Sequence, residues 1–137
     1  MFEVIKAFGY EKASYPITIA ELPSATLVLD GLLNGDERKE LFDTLAFHPE
    51  CGDVVEGLLK RIRKFRWDYG PRGKRRTLRV TYFFYDLNMP LYIVAVFDRG
   101  EVFKQTREEK MEILSLTDEL IKIHSRDTTD QVLGASA

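Results

Sequence analysis

"KFRWDYGPRGKRRTLRVTYFF", Lys64 to Phe84, reads as two strands joined by a turn at Gly70 and Pro71, and it carries far more positive charge than its surroundings. Alternate side chains of a strand share a face, so Lys64 and Arg66 point one way while Phe65 and Trp67 point the other. On the second strand Leu78, Val80, Tyr82 and Phe84 form the apolar set, which leaves Arg79, Thr81, Phe83 and Tyr85 opposite. If both apolar sets pack on helices, Lys64, Arg66 and Arg79 converge on the open face. Arg99, just past the next strand, would join them at its end. The tip "DYGPRGKRR" adds Arg72, Lys74, Arg75 and Arg76 in a turn that cannot bury them.

Working outward, "LYIVAVF" (Leu91 to Phe97) follows after the turn chemistry of "DLNMP" and completes a three-stranded antiparallel meander. Upstream, "ITIAEL" (Ile17 to Leu22) alternates like a short strand. Pro23 and Ser24 suit a helix start, and Gly31 and Gly35 limit that helix. A second helix is expected from Asn34 or Asp36, with Leu41, Phe42 and Leu45 on one side and Pro49 closing it, giving a helical hairpin. "ECGDVVEGLLK" reads as a loop with one helical turn. Thr106 and Glu109 have capping-box spacing ahead of a helix whose apolar face carries Ile113, Leu114, Leu120 and Ile121.

These elements predict an α+β fold: an antiparallel sheet of about four strands, a helical hairpin on one face, and a C-terminal helix. The 137 residues suit one domain. The expected division is an N-terminal extension over 1–16, the domain over 17–125, and a flexible polar tail over 126–137.

The formal net charge of −2 conceals an asymmetry: Lys60 to Arg79 holds ten basic residues against one acid, Asp68, so the remaining positions sum to −11. A local field of one sign concentrates a partner of the other, which points to a polyanion. A solvated basic face is the plainer reading. Against it stand the lack of interspersed acid, the convergence on one face, and the accompanying aromatics. Tyr69, Phe83 or Tyr85 could stack on bases, whereas Trp67 is assigned to the core.

The single cysteine, Cys51, forms no internal disulfide, and the chain carries neither a secretory core segment nor an apolar run of spanning length, so cytoplasm is the expected compartment and no membrane partner is expected. His48 and His124 stand far apart with no ligand spacing, so no metal or other cofactor is expected. Neither histidine nor Cys51 is assigned a catalytic role.

The motifs "LLNGDERKEL", "HPECGDVVEG", "IRKFRW", "GKRRTLRVTYFF" and "VFDRGE" together resemble the RelE/ParE toxin superfamily, especially its HigB-like branch, over about Ile17 to Ile123. The resemblance implies a ribosome-dependent mRNA endoribonuclease held inactive by a cognate antitoxin, often a helix-turn-helix protein encoded beside it. It implies that Lys64 and Arg66 contact the cleaved phosphate, that Arg79 precedes the "V-x-Y" strand as in the family, and that Arg99 is the basic residue after the last strand. Arg63, Arg72, Lys74, Arg75, Arg76, Tyr69 and Tyr85 are the expected RNA-binding set. Three departures are visible: "GLLKR" (Gly57 to Arg61) replaces a glycine-rich stretch, no tyrosine follows Tyr92, and Asp98 stands where a small or basic residue is more usual. A gyrase inhibitor like ParE, or a member that binds without cutting, are the alternatives.

RNA supplies its own nucleophile, the 2′-hydroxyl, so a protein must chiefly align the attack and stabilise charge on the phosphorane. A guanidinium offers phosphate two parallel hydrogen bonds. Arg79 and Arg99 are therefore the expected clamps, and Lys64 or Arg66 would position the 2′-oxygen or stabilise the leaving 5′-oxygen.

Overall fold

The structure, a computed structural model, describes residues 17–98 and 105–136, with side chains as far as Ser125. The N-terminal extension and Arg99 lie outside the described residues. The elements are β1 (Ile19–Glu21), α1 (Pro23–Leu32), α2 (Gly35–Phe47), β2 (Asp53–Val54), β3 (Ile62–Tyr69), β4 (Arg76–Phe83), β5 (Leu91–Phe97) and α3 (Arg107–Ser136). No helix among the described residues is long and apolar enough to cross a membrane.

The fold is α+β, with one five-stranded sheet ordered β1-β5-β4-β3-β2. The antiparallel meander β3-β4-β5 is as read from the sequence. Two features correct the expected four-stranded antiparallel sheet. First, β1 pairs parallel with β5, Ile19 opposite Leu91. Parallel neighbours need a long connection, and here it runs through both hairpin helices and three further strands before β5 returns. Second, β2 forms where a helical turn was expected, pairing antiparallel with β3. The last helix, α3, runs from Arg107 to Ser136.

Local sequence explains the helix starts. Asn34 and Glu37 form a reciprocal capping box at α2 (2.8 and 3.0 Å), and Thr106 and Glu109 form another at α3 (both 3.1 Å). Helix α1 has Pro23 in its first turn instead of a side-chain cap. Arg38 on α2 reaches Glu21 of β1 and Asp30 of α1, tying three elements together across the hairpin.

The sheet is buried differently on its two faces. Trp67, Tyr69, Leu78, Val80, Tyr82, Leu91 and Ile93 pack against Ala25 and Leu29 of α1 and Leu41 and Leu45 of α2. On the opposite face Leu58, Ile62, Phe83 and Met89 gather Ile113, Leu114, Leu120 and Ile121 of α3. The register pairs Ile62 with Phe83, so this second core sits where β3 begins and β4 ends. Phe83, expected on the open face, is instead fully buried beneath α3. Arg61 locks the helix there, donating to Thr117 Oγ1 (2.9 Å) and Asp118 Oδ1 (2.6 Å).

The loop before β2 is held by Tyr82. The buried Gly52 N–H donates to the Tyr82 hydroxyl (2.8 Å), which in turn donates to the Pro49 carbonyl (2.7 Å). Arg63 donates to the Gly52 carbonyl (2.8 Å). A Cβ at Gly52 would lie 2.9 Å from both the Lys64 carbonyl and the Tyr82 ring, so only glycine allows this approach.

Burial pushes the Tyr82 phenol up from its ordinary range. A raised folded-state pKa means that Tyr82 contributes its full stability below the unfolded value, about pH 10, and loses it as pH rises above that. Tyr82→Phe leaves the Gly52 N–H without its partner and should cost about 1–3 kcal/mol in urea unfolding at neutral pH. The variant's stability should also fall less steeply than the wild type's in the alkaline limb.

Candidate nucleic-acid interface

Strand register arranges the uncovered part of the sheet in two rows. Asp53 of β2, Lys64 of β3, Thr81 of β4 and Ala95 of β5 stand side by side across the sheet. In the next row Arg66 lies directly opposite Arg79, and Arg79 opposite Phe97. The rows are two residues apart along each strand, roughly 6.7 Å. A β-bulge between Thr81 and Tyr82 makes this layout: Tyr82 pairs with Ile93 but Thr81 with Ala95, so Val94 is the extra residue and Phe97 arrives beside Arg79.

The structure brings Lys64, Arg66 and Arg79 together. They line an open cleft of about 510 Å³ with Asp53, Thr81 and Phe97, and Thr81 is its buried floor. Arg66 and Arg79 also line an adjoining cleft of about 650 Å³, whose other walls are Lys74, Arg75, Arg76, Thr77 and Asp98. The two guanidinium groups therefore stand at the boundary of one continuous basic trough.

Among the described residues, none of these three cations makes an ion pair or a side-chain hydrogen bond. Their neighbours differ. Arg61 is bound to α3, Arg63 to the loop before β2, and Arg76 to Asp98 (2.7 Å). Like charges directly opposite each other weaken a strand pair. Arg66 against Arg79 is thus a standing repulsion that an anion seated between them would relieve.

Several expected RNA-binding residues lie elsewhere. Arg63 alternates to the helix-hairpin face and serves the loop through Glu50 and Gly52. Tyr69 is buried on that same face, stacked on Trp67 at 5.6 Å with the Arg76 guanidinium 5.8 Å from its ring centroid, so it offers no surface to a base. Tyr85 is exposed but lies at the far end of β4, beside a separate cleft formed with Asp86, Asn88 and His124. Arg72 is exposed at the tip and lines neither basic cleft.

Two residues of the trough carry no signal in the sequence pattern: Asp53 belongs to a segment that reads as loop, and Phe97 depends on the bulge. Alternation puts Thr81 on the open face, but it becomes a floor only when β3 and β5 flank it. Cys51 lines the same cleft, but burial pushes its thiol up, which opposes the thiolate that nucleophilic chemistry requires. His124 accepts or donates a 2.8 Å hydrogen bond with the Tyr92 hydroxyl, remote from the basic face. Among the described residues no group of three or more His, Cys, Asp or Glu side chains is placed to hold a metal ion.

The departure "GLLKR" has a definite backbone form. Leu59 and Lys60 adopt φ of 54° and 60°, the left-handed region that glycine favours. Buried Leu58 on one side and the Arg61 contacts to α3 on the other hold this turn in place. The turn that leads into β3 is therefore formed with no glycine at either position.

No known protein-family model matches the chain.

Arg66→Gln removes the opposed charge while keeping much of the side chain. It should stabilise the free protein by about 0.2–1 kcal/mol at low salt. Inorganic sulfate should raise the melting temperature of the wild type more than that of the variant, as scanning fluorimetry would measure.

Proposed function

We propose that this chain is the toxin of a two-component toxin–antitoxin module and cuts mRNA on the ribosome. The observation that carries the reading is the Arg66–Arg79 pair: two opposed guanidinium groups, with Lys64 on the same face and no acid bound to any of them among the described residues. Two guanidinium groups facing each other across a strand pair can grip one anion between them, and an anion there offsets their mutual repulsion. The motif resemblance supplies the ribosome as the setting and a cognate antitoxin as the partner.

Arg66 and Arg79 would hold the non-bridging oxygens of one phosphate between them, each through parallel N–H groups. Lys64, one row away on the same face, lies where the adjoining ribose would come. The 2′-oxygen then attacks phosphorus, a 2′-O–P bond forms, and the P–O5′ bond breaks. The products are a 2′,3′-cyclic phosphate and a free 5′-hydroxyl. Negative charge grows on the phosphorane oxygens during attack, so donors already aimed at them favour the transition state over the ground state. Lys74 and Arg75 in the adjoining cleft would follow the backbone of the next nucleotides without reading their bases.

Removing one preorganised donor of this kind costs about 10²–10³ in rate. Arg79→Ala should lose activity by that factor in cleavage of translated mRNA. Inducible expression with and without the neighbouring gene, followed by mapping of mRNA 5′ ends, tests the whole reading. Growth arrest with codon-phased cuts is the expected result. Arrest with intact mRNA and damaged DNA would replace it with gyrase inhibition, and no arrest would leave a binding protein.

A further inference from the structure

Cleavage through the 2′-hydroxyl needs an acceptor for its proton, and the basic trough is poor in acceptors. Arginine and lysine side chains in their charged forms only donate. Of the described side chains lining the two clefts that Arg66 and Arg79 share, the remaining polar ones are Asp53, Thr77, Thr81, Asp98 and Cys51. Asp98 accepts from Arg76 and belongs to the outer cleft. Thr77 already donates to Asp68 (2.7 Å), and Thr81 is sunk in the floor. The Cys51 thiol is held in its protonated form by burial.

We infer that Asp53 is the general base of the reaction, a catalytic role that rests on the endoribonuclease reading above. Asp53 stands directly opposite Lys64 and diagonal to Arg66 on the same face. Diagonal neighbours across a strand pair are about 7–8 Å apart at Cα, within reach of long side chains. A phosphate held by Arg66 and Arg79 thus places its ribose over the row that contains Lys64 and Asp53. The 2′-hydroxyl proton passes to the Asp53 carboxylate as the 2′-O–P bond forms. The expelled 5′-oxygen takes a proton from water, and Asp53 returns its own to solvent. Lys64, opposite Asp53 on the neighbouring strand, donates to the ribose oxygen.

The position of this carboxylate is built into the fold. Gly52, its neighbour, is fixed through both of its backbone polar groups, the N–H by Tyr82 and the carbonyl by Arg63. Those anchors bring a two-residue edge strand against β3 and aim Asp53 over the trough.

The test is a single-turnover measurement with the full chain on mRNA seated in translating ribosomes, reading formation of 5′-hydroxyl ends. Asp53→Asn keeps size and hydrogen-bonding shape, and matched thermal unfolding checks its integrity. The variant should lose about 10²–10⁴ in rate, the usual contribution of a positioned base, while ribosome association is unchanged. Asp53→Glu should recover part of the loss. If the wild type cuts and Asp53→Asn cuts at the same rate, the assignment is overturned while the endoribonuclease reading stands. A loss explained wholly by weaker association would likewise overturn it. If the wild type leaves mRNA uncut, both fall together.

Discussion

The pairing of β3 with β4 is the constraint on which the rest of this molecule depends. Strand β4 has neighbours on both sides, so its register to β3 and to β5 decides what stands beside what across the whole sheet. A slip of one residue would carry Leu78, Val80 and Tyr82 out of the core and turn Arg79 into it. The apolar set therefore fixes the register, and the register in turn forces Arg66 against Arg79. Hydrophobic burial on one face sustains an electrostatic repulsion on the other.

That separation of duties follows from how the two faces are covered. The helical hairpin spans the apolar face along the length of the meander, from Trp67 and Tyr69 to Leu91 and Ile93. Helix α3 covers only the part of the opposite face where Ile62, Phe83, Tyr92 and Val94 supply an apolar floor. Beyond them the same face becomes Lys64, Arg66, Arg79 and Thr81, and none of the described α3 side chains packs there. The switch from apolar to basic within single strands thus divides one face into a foundation and a working surface. The sheet fixes the backbone positions of these charged groups, so what an anion must still order is their side-chain rotamers.

The basic segment also does more than one job. Arg61 and Arg63 work inside the structure, one fastening α3 and the other holding the loop that becomes β2. Arg76 is balanced by Asp98. Only part of the charge excess is thus left without an ion pair among the described residues, and Lys64, Arg66 and Arg79 belong to it. The trough's acidic wall, Asp53, is contributed by a different segment that reaches the site through backbone hydrogen bonds to a tyrosine and an arginine.

The sequence by itself determined what short-range periodicity controls. Alternation placed Lys64, Arg66 and Arg79 on one face, and the Asn34–Glu37 and Thr106–Glu109 spacings marked two helix starts, because both patterns act within a few residues of chain. Tertiary structure decided everything that depends on a partner distant along the chain. The parallel β1–β5 pair, the strand at Asp53–Val54, and the burial of Tyr69 and Phe83 arise from hydrogen bonds and packing between remote segments. The bulge that brings Phe97 beside Arg79 is equally invisible to a count of alternate residues, since one inserted residue shifts the phase of all that follow. Which arginines are occupied and which stand open is likewise a matter of neighbours, and neighbours across a sheet are set by register.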